Sequence, residues 1–426
     1  MPMTVEVDIV DEYLNRLLEN HVAGVKETSN YPALARLFNE VGKKLQVRCI
    51  IHPRSKGAGI PDGGFFTANQ LKIALTDEDR MLTQTPERGA IEVKGTSDDV
   101  LAIAKSKQVA KYLERYGQVL VTNCYDFQLV VQDGVNARVL ERFRLAESEA
   151  KFWQAAAQPR KLAVAGGEQL VEYLKRVMLH AAPLTRAQDV AWFLASYARD
   201  ARVRIERAEL VALTRVRKAL EEALGMQFTG KRGEHFFRST LIQTLFYGIF
   251  SAWVLWSKKE GGRPGARFDW RVAGWYLHVP TENALFSQVV NRNQLEPLGL
   301  VAVLDWTGET LNRIDQSAFF ASFDEGRAVQ YFYEPFLEAY DPELREQLGV
   351  WYTPGEIIEY MVERVDRALR GELGIAHELR NEIDSDKKIS TSAKCSSREP
   401  KRPEKVYTSL EAFSPERRIT TREERG

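Results

Sequence analysis

The chain has 426 residues, too many for one ordinary hydrophobic core, so two to three domains of roughly 150 residues each are expected. Hydrophobic residues make up 44% and charged residues 28%, the balance of an ordinary folded chain, which excludes bulk disorder. Lys and Arg (59) match Asp and Glu (59), so no net field attracts a polyanion and any basic face must be local.

The three cysteines, Cys49, Cys124 and Cys395, lie far apart without a CxxC pair. That spacing excludes a disulfide framework or a zinc knuckle and fits a reducing compartment. The opening MPMTVEVDIVDEYLNRLLEN carries acids where a secretory leader needs a basic start and an apolar core. The most apolar stretch, residues 241–256, contains Gln243, Thr244, Tyr247 and Ser251 and falls short of a membrane span. A buried core helix in a cytoplasmic protein, with no membrane partner, is expected.

Along the chain, residues 5–145 show a mixed pattern. Helical periodicity over 7–18 and 33–45 gives way to short β-branched and apolar runs at 47–51, 64–67, 90–94, 118–123 and 127–131, with one helix at 100–116. Long amphipathic stretches at 167–180, 184–224 and 236–256 then predict a mostly helical connector over 146–340. A helix at 331–340, a loop at 349–354 and an amphipathic helix at 355–369 follow. Beyond residue 375 the composition turns to SDKKISTSAKCSSREPKRPEK, polar and dense in charge, and residues 376–426 are expected to form a disordered tail.

The chemistry concentrates at Pro61-Asp62 and Glu92-Val93-Lys94. Strand alternation puts Glu92 and Lys94 on one face while Val93 points into the core. Two carboxylates from adjacent strands, Asp62 and Glu92, suit a hard divalent cation such as Mg²⁺, with the Val93 carbonyl as a further oxygen ligand. Lys94 beside them would orient or help deprotonate an attacking water and offset charge on a phosphate.

This pattern resembles the PD-(D/E)xK nuclease superfamily over about the first 145 residues. Gln108-Val109-Ala110-Lys111-Tyr112 on the next helix is similar to the Q-x-x-x-Y element that some members place beside the metal site. The resemblance implies an α/β restriction-endonuclease-like N-terminal domain that acts on double-stranded DNA, with Asp62, Glu92, Lys94 and Gln108 as its catalytic residues. It also implies an acid from the first helix, for which Glu27 and Glu40 are the alternatives. The 30-residue step from Asp62 to Glu92 predicts a hairpin with a large loop over 76–89.

A second resemblance lies at Trp351-Tyr352-Thr353-Pro354, where an aromatic-Thr-Pro turn opens the helix EIIEYMVERV. This is similar to the start of the methyltransferase domain of adenine-N6 DNA methyltransferases, in which the matching Tyr352, Thr353 and Pro354 would line an S-adenosylmethionine pocket. No glycine-rich cofactor turn or Asn-Pro-Pro-aromatic motif follows Thr353, so residues 341–375 are expected to be only the start of such a domain, unable to methylate DNA alone. The combined reading is the N-terminal part of a single-chain type II restriction-modification enzyme. The alternative is a non-catalytic DNA-binding or assembly subunit that works with a separate methyltransferase or specificity chain. Two decoys drop out. Gly225 to Lys231 lacks the hydroxyl of a phosphate-binding loop because Arg232 stands there, and Gly57-Ala58-Gly59 has Asp62 where a third glycine is needed. Trp253, Trp256, Trp270 and Trp275 are expected to fill the helical core.

Overall fold

The computed structural model of the chain describes residues 5–51, 60–133, 136–208, 210–261, 263, 265–277, 286, 295–323, 329–342 and 355–371. Two compact units divide it, Met1–Tyr352 and Thr353–Gly426. The first is mixed α/β, a six-stranded mixed sheet followed by a largely helical remainder.

Its helices α1 (Val5–Val22) and α2 (Tyr31–Gly42) flank a 3-10 turn, Glu27–Asn30. Strands β1 (Val47–Ile51), β2 (Gly63–Thr67) and β3 (Ala90–Val93) form an antiparallel meander. Between β2 and β3 the expected loop holds two short helices, α3 (Ala68–Leu71) and α4 (Asp77–Thr83), whose N-caps Thr67 and Thr76 accept backbone N–H groups. A crossover through α5 (Val100–Ala104) and α6 (Lys107–Tyr116) then returns the chain parallel to β3 as β4 (Gln118–Thr122), as parallel pairing requires. The expected single helix at 100–116 is split because Ser106 caps a new start, its hydroxyl accepting from the Val109 N–H. The antiparallel strands β5 (Asp126–Asp133) and β6 (Asn136–Arg144) complete the sheet in the order β1 to β6.

Strand alternation separates the two faces. Ile91, Val93, Leu120 and Phe127 share a core with α1, α2 and the following helices α7 (Glu149–Ala156) and α8 (Pro159–His180). Ala90, Val119 and Val121 pack instead with Val109, Tyr112 and Leu113 of α6. The sheet is therefore covered by helices on both sides. The first core also runs past residue 145, because Phe152, Leu170, Tyr173 and Leu174 are buried with Val10, Leu14 and Phe38.

A separate core begins at Leu184 and contains α9 (Ala187–Arg207), α10 (Leu210–Leu224), α11 (Gly230–Glu260), α12 (Leu300–Leu311), α13 (Gln316–Ser322) and α14 (Glu334–Tyr340). Helix α11 is long and apolar enough to cross a membrane by length and composition, but Leu241, Phe246, Phe250 and Trp253 are buried inside this core. Phe250 stacks on Phe332 at 3.4 Å between ring centroids. Trp253, Trp256 and Trp270 are buried as expected, whereas Trp275 is 81% exposed and fills no core. In the second unit, helix α15 (Gly355–Gly371) leaves Ile357, Tyr360, Met361 and Val365 exposed. Tyr352, Thr353 and Pro354 lie outside the described residues, as does the expected tail at 376–426.

Candidate active site

The register of β2 with β3 brings the two motif carboxylates together. Gly63 stands opposite Ile91 and Gly64 opposite Ala90, so one step further along the same register sets Asp62 across from Glu92. Directly opposed residues of an antiparallel pair project to the same face. The paired glycines are required by crowding: a Cβ on Gly63 would lie 2.6 Å from the Ile50 carbonyl oxygen, and one on Gly64 2.7 Å from Pro86.

Asp62 Oδ2 accepts the Val93 N–H at 2.9 Å, tying the Pro-Asp segment to the strand that carries Glu92. Lys94 Nζ donates to Glu92 Oε1 at 2.5 Å and to the Val93 carbonyl at 3.2 Å, and it lies 4.0 Å from Asp62 Oδ2. Gln108 Nε2 donates to the same Glu92 oxygen at 3.1 Å and to the Tyr112 hydroxyl at 2.8 Å. Tyr112 in turn donates to the Ile60 carbonyl at 3.0 Å. The two residues of the helix motif, one turn apart, thus brace Glu92 at one end and the residue before Pro61 at the other. The structure brings Asp62, Glu92, Lys94 and Gln108 to one point.

Glu27 and Glu40 have different surroundings. Glu40 pairs with Lys43 at 2.7 Å in the last turn of α2. Glu27 lies beside the site, where burial pushes its carboxyl pKa up, with Asp62 and Asp98 adding to that and Lys94 and the Gly95 N–H opposing it. Tyr31, which the sequence pattern did not single out, is buried and hydrogen-bonded to the Asp62 side chain. Burial first, then the Asp62 and Glu27 charges, push its phenol pKa upward. Only its spacing of four from Glu27, at the start of an amphipathic helix, hints at this placement in the sequence.

Burial of Glu92, whose side chain is 3% exposed, and the neighbouring Asp62 charge push its pKa up to about 6 against the opposing pull of Lys94. Burial alone would lower the Lys94 pKa, but Glu92, Asp62 and Glu27 outweigh it and the net direction is upward, so Lys94 stays an ammonium at neutral pH. It can donate to a water or a phosphate oxygen.

Glu92 holds its proton more tightly in the fold than in the unfolded chain, so its stabilising contribution is complete below the ordinary carboxylate range and is lost as pH rises through about 6. Replacing it removes that loss. Glu92→Gln is expected to stabilise the metal-free chain by about 2 kcal/mol near pH 8, with the gain vanishing near pH 4. Urea unfolding at the two pH values checks the sign.

Among the described residues no group of three or more His, Cys, Asp and Glu side chains is arranged to hold a metal ion. The donors are two carboxylates at close quarters and a strand carbonyl. That set fits Mg²⁺, which keeps several waters and takes one or two carboxylates together with substrate phosphate oxygens. The repulsion between Asp62 and Glu92, which adds to burial in raising the Glu92 pKa, is what a divalent cation would relieve.

No protein-family model matches the chain, and no curated protein matches it. A search of solved structures finds a chain of the cryo-EM structure of a DrdV–DNA complex, 20% identical with a TM-score of 0.30, covering 88% of this chain and 32% of that one. The present chain thus spans about a third of the length of the solved structure that it matches.

Proposed function

We propose that the chain is a Mg²⁺-dependent DNA endonuclease, the nuclease portion of a restriction-modification polypeptide. The observation that carries this reading is the bonded set Asp62, Glu92, Lys94 and Gln108, contributed by the segment that leads into β2, by β3 and the residue after it, and by the crossover helix. An antiparallel meander followed by a helical crossover to a parallel strand is the framework expected for the PD-(D/E)xK superfamily, and it supports the same reading.

Asp62 and Glu92 would hold the ion, with the Val93 carbonyl as a third oxygen. When bound, Mg²⁺ polarises a phosphoryl oxygen and lowers the pKa of a coordinated water. The chain's own residues do the rest. The Lys94 ammonium orients the attacking water and offsets charge that builds on the phosphate. Gln108 holds the same Glu92 oxygen that Lys94 contacts, and Tyr112 fixes the segment that carries Asp62 through the Ile60 carbonyl. The Tyr352, Thr353 and Pro354 segment would contribute to S-adenosylmethionine binding only with a methyltransferase domain around it, which a separate methyltransferase or specificity chain would supply.

Incubating supercoiled plasmid with the purified chain tests the function. Nicked or linear product is expected with Mg²⁺ or Mn²⁺ and none in a chelator. Equal cleavage in the chelator, or none under any metal, sinks the proposal and leaves the non-catalytic DNA-binding subunit as the reading to pursue.

A further inference from the structure

Helix α6 carries Gln108 into the site, and its outward side carries an unusual row of charge. Lys107, Lys111 and Arg115 follow one another at intervals of four residues, and all three are exposed. Residues four apart lie one above the other on a helix, separated by about 6 Å of rise. Lys111 and Arg115 also stand three and seven residues beyond Gln108, the spacing of a single helical stripe. The row therefore borders the edge from which Gln108 reaches Glu92.

Many exposed cations of this neutral chain sit beside carboxylates, as in Arg16–Glu19, Lys43–Glu40, Lys151–Glu147 and Arg186–Asp189. Among the described residues none of the three α6 cations is in an ion pair, and the helix's one carboxylate, Glu114, pairs with none of them. Arg115 rests over the Tyr116 ring at 5.3 Å, a contact that leaves its donors available. Three like charges kept in line and unneutralised repel one another unless a polyanion with a regular charge repeat lies along them.

We propose that Lys107, Lys111 and Arg115 form a rail that holds one backbone strand of duplex DNA by its phosphates next to the Asp62 and Glu92 carboxylates. The rail rests on the nuclease reading for its substrate, but its test does not depend on catalysis. Phosphate contacts release counterions, so each lost contact reduces the slope of log K against log salt by about 0.9.

Duplex binding by the full chain is measured across a salt series with Ca²⁺ in place of Mg²⁺. The triple variant Lys107→Gln, Lys111→Gln, Arg115→Gln is expected to lower the slope by about 2.7 and the affinity near 0.1 M salt by at least about 10-fold. Lys161→Gln, an exposed cation on α8 across the sheet, is expected to keep the wild-type slope. Wild-type melting temperatures for both variants exclude misfolding as the cause. A triple variant with an unchanged slope overturns the rail while leaving the nuclease reading intact. A reduced slope in a chain that never cleaves keeps the rail and overturns the nuclease, and a wild-type chain that binds no duplex overturns both.

Discussion

Asp62→Ala, Glu92→Ala and Lys94→Ala are each expected to lower metal-dependent DNA cleavage by about 10³-fold or more, since in the proposed mechanism Asp62 and Glu92 would hold the ion and Lys94 would offset charge that develops on the phosphate. Initial rates of plasmid nicking at saturating Mg²⁺ measure the effect. Loss of fold does not explain such a drop for Glu92→Ala, which removes a buried, repelled carboxylate and leaves Lys94 and Gln108 near the surface to find water. Gln108→Ala should be milder, about 10-fold, because it loosens Glu92 without removing a metal ligand. Tyr112→Phe separates bracing from chemistry: it cuts the bond to the Ile60 carbonyl while keeping the ring packed with Val109 and Leu113. A raised Mg²⁺ requirement with little change in the maximal rate is the expected signature. Undiminished cleavage by Glu92→Ala would place the active site elsewhere.

The local half of this site is legible in the sequence and the tertiary half is not. Alternation is a property of any strand, so Glu92 and Lys94 on one side of a fully buried Val93 follows from three residues alone. The same holds for Gln108 and Tyr112, one turn apart on a helix. What pairs Asp62 with Glu92 is register across 30 residues, and the connection is hard to read because α3 and α4 are short and held by caps rather than by an apolar stripe. Strand β6 escapes for a related reason. Its Asn-Ala-Arg-Val-Leu-Glu-Arg-Phe-Arg mixes charges into both faces, and Glu141 is buried only because an arginine from α8 meets it. Helix α8 reads as part of a helical connector by periodicity, yet it packs on α1 and closes the first core. Periodicity tells that a face is apolar; which element covers it is decided by the rest of the fold.

That buried arginine is the site of the largest expected stability effect. Arg176 is 3% exposed and Glu141 2%, with Arg176 Nε donating to Glu141 Oε1 at 2.8 Å and Nη1 to the Ser196 hydroxyl at 2.9 Å. Ser196 donates onward to Glu172 at 2.8 Å, which Arg199 and Lys175 also contact. Burial pushes the Glu172 pKa up, but these two cations outweigh it and hold the carboxyl down to about 2. The network joins the last strand of the sheet to α8 and α9, so it bridges the two hydrophobic cores of the first unit. Arg176→Met leaves the Glu141 carboxyl buried without its partner, and should cost about 3–5 kcal/mol at neutral pH. Its pH dependence follows from burial. Without the guanidinium the Glu141 pKa rises further above its unfolded value, so the mutant is least impaired below the ordinary carboxylate range and loses stability as pH increases. Adding Glu141→Leu to Arg176→Met removes the orphaned charge, and much of the loss should return. Urea unfolding of the two variants at acid and neutral pH measures both effects. A double variant no more stable than Arg176→Met at neutral pH would mean that packing around the guanidinium, including its stack 4.8 Å from the Tyr197 ring, holds sheet and helices together rather than the ion pair.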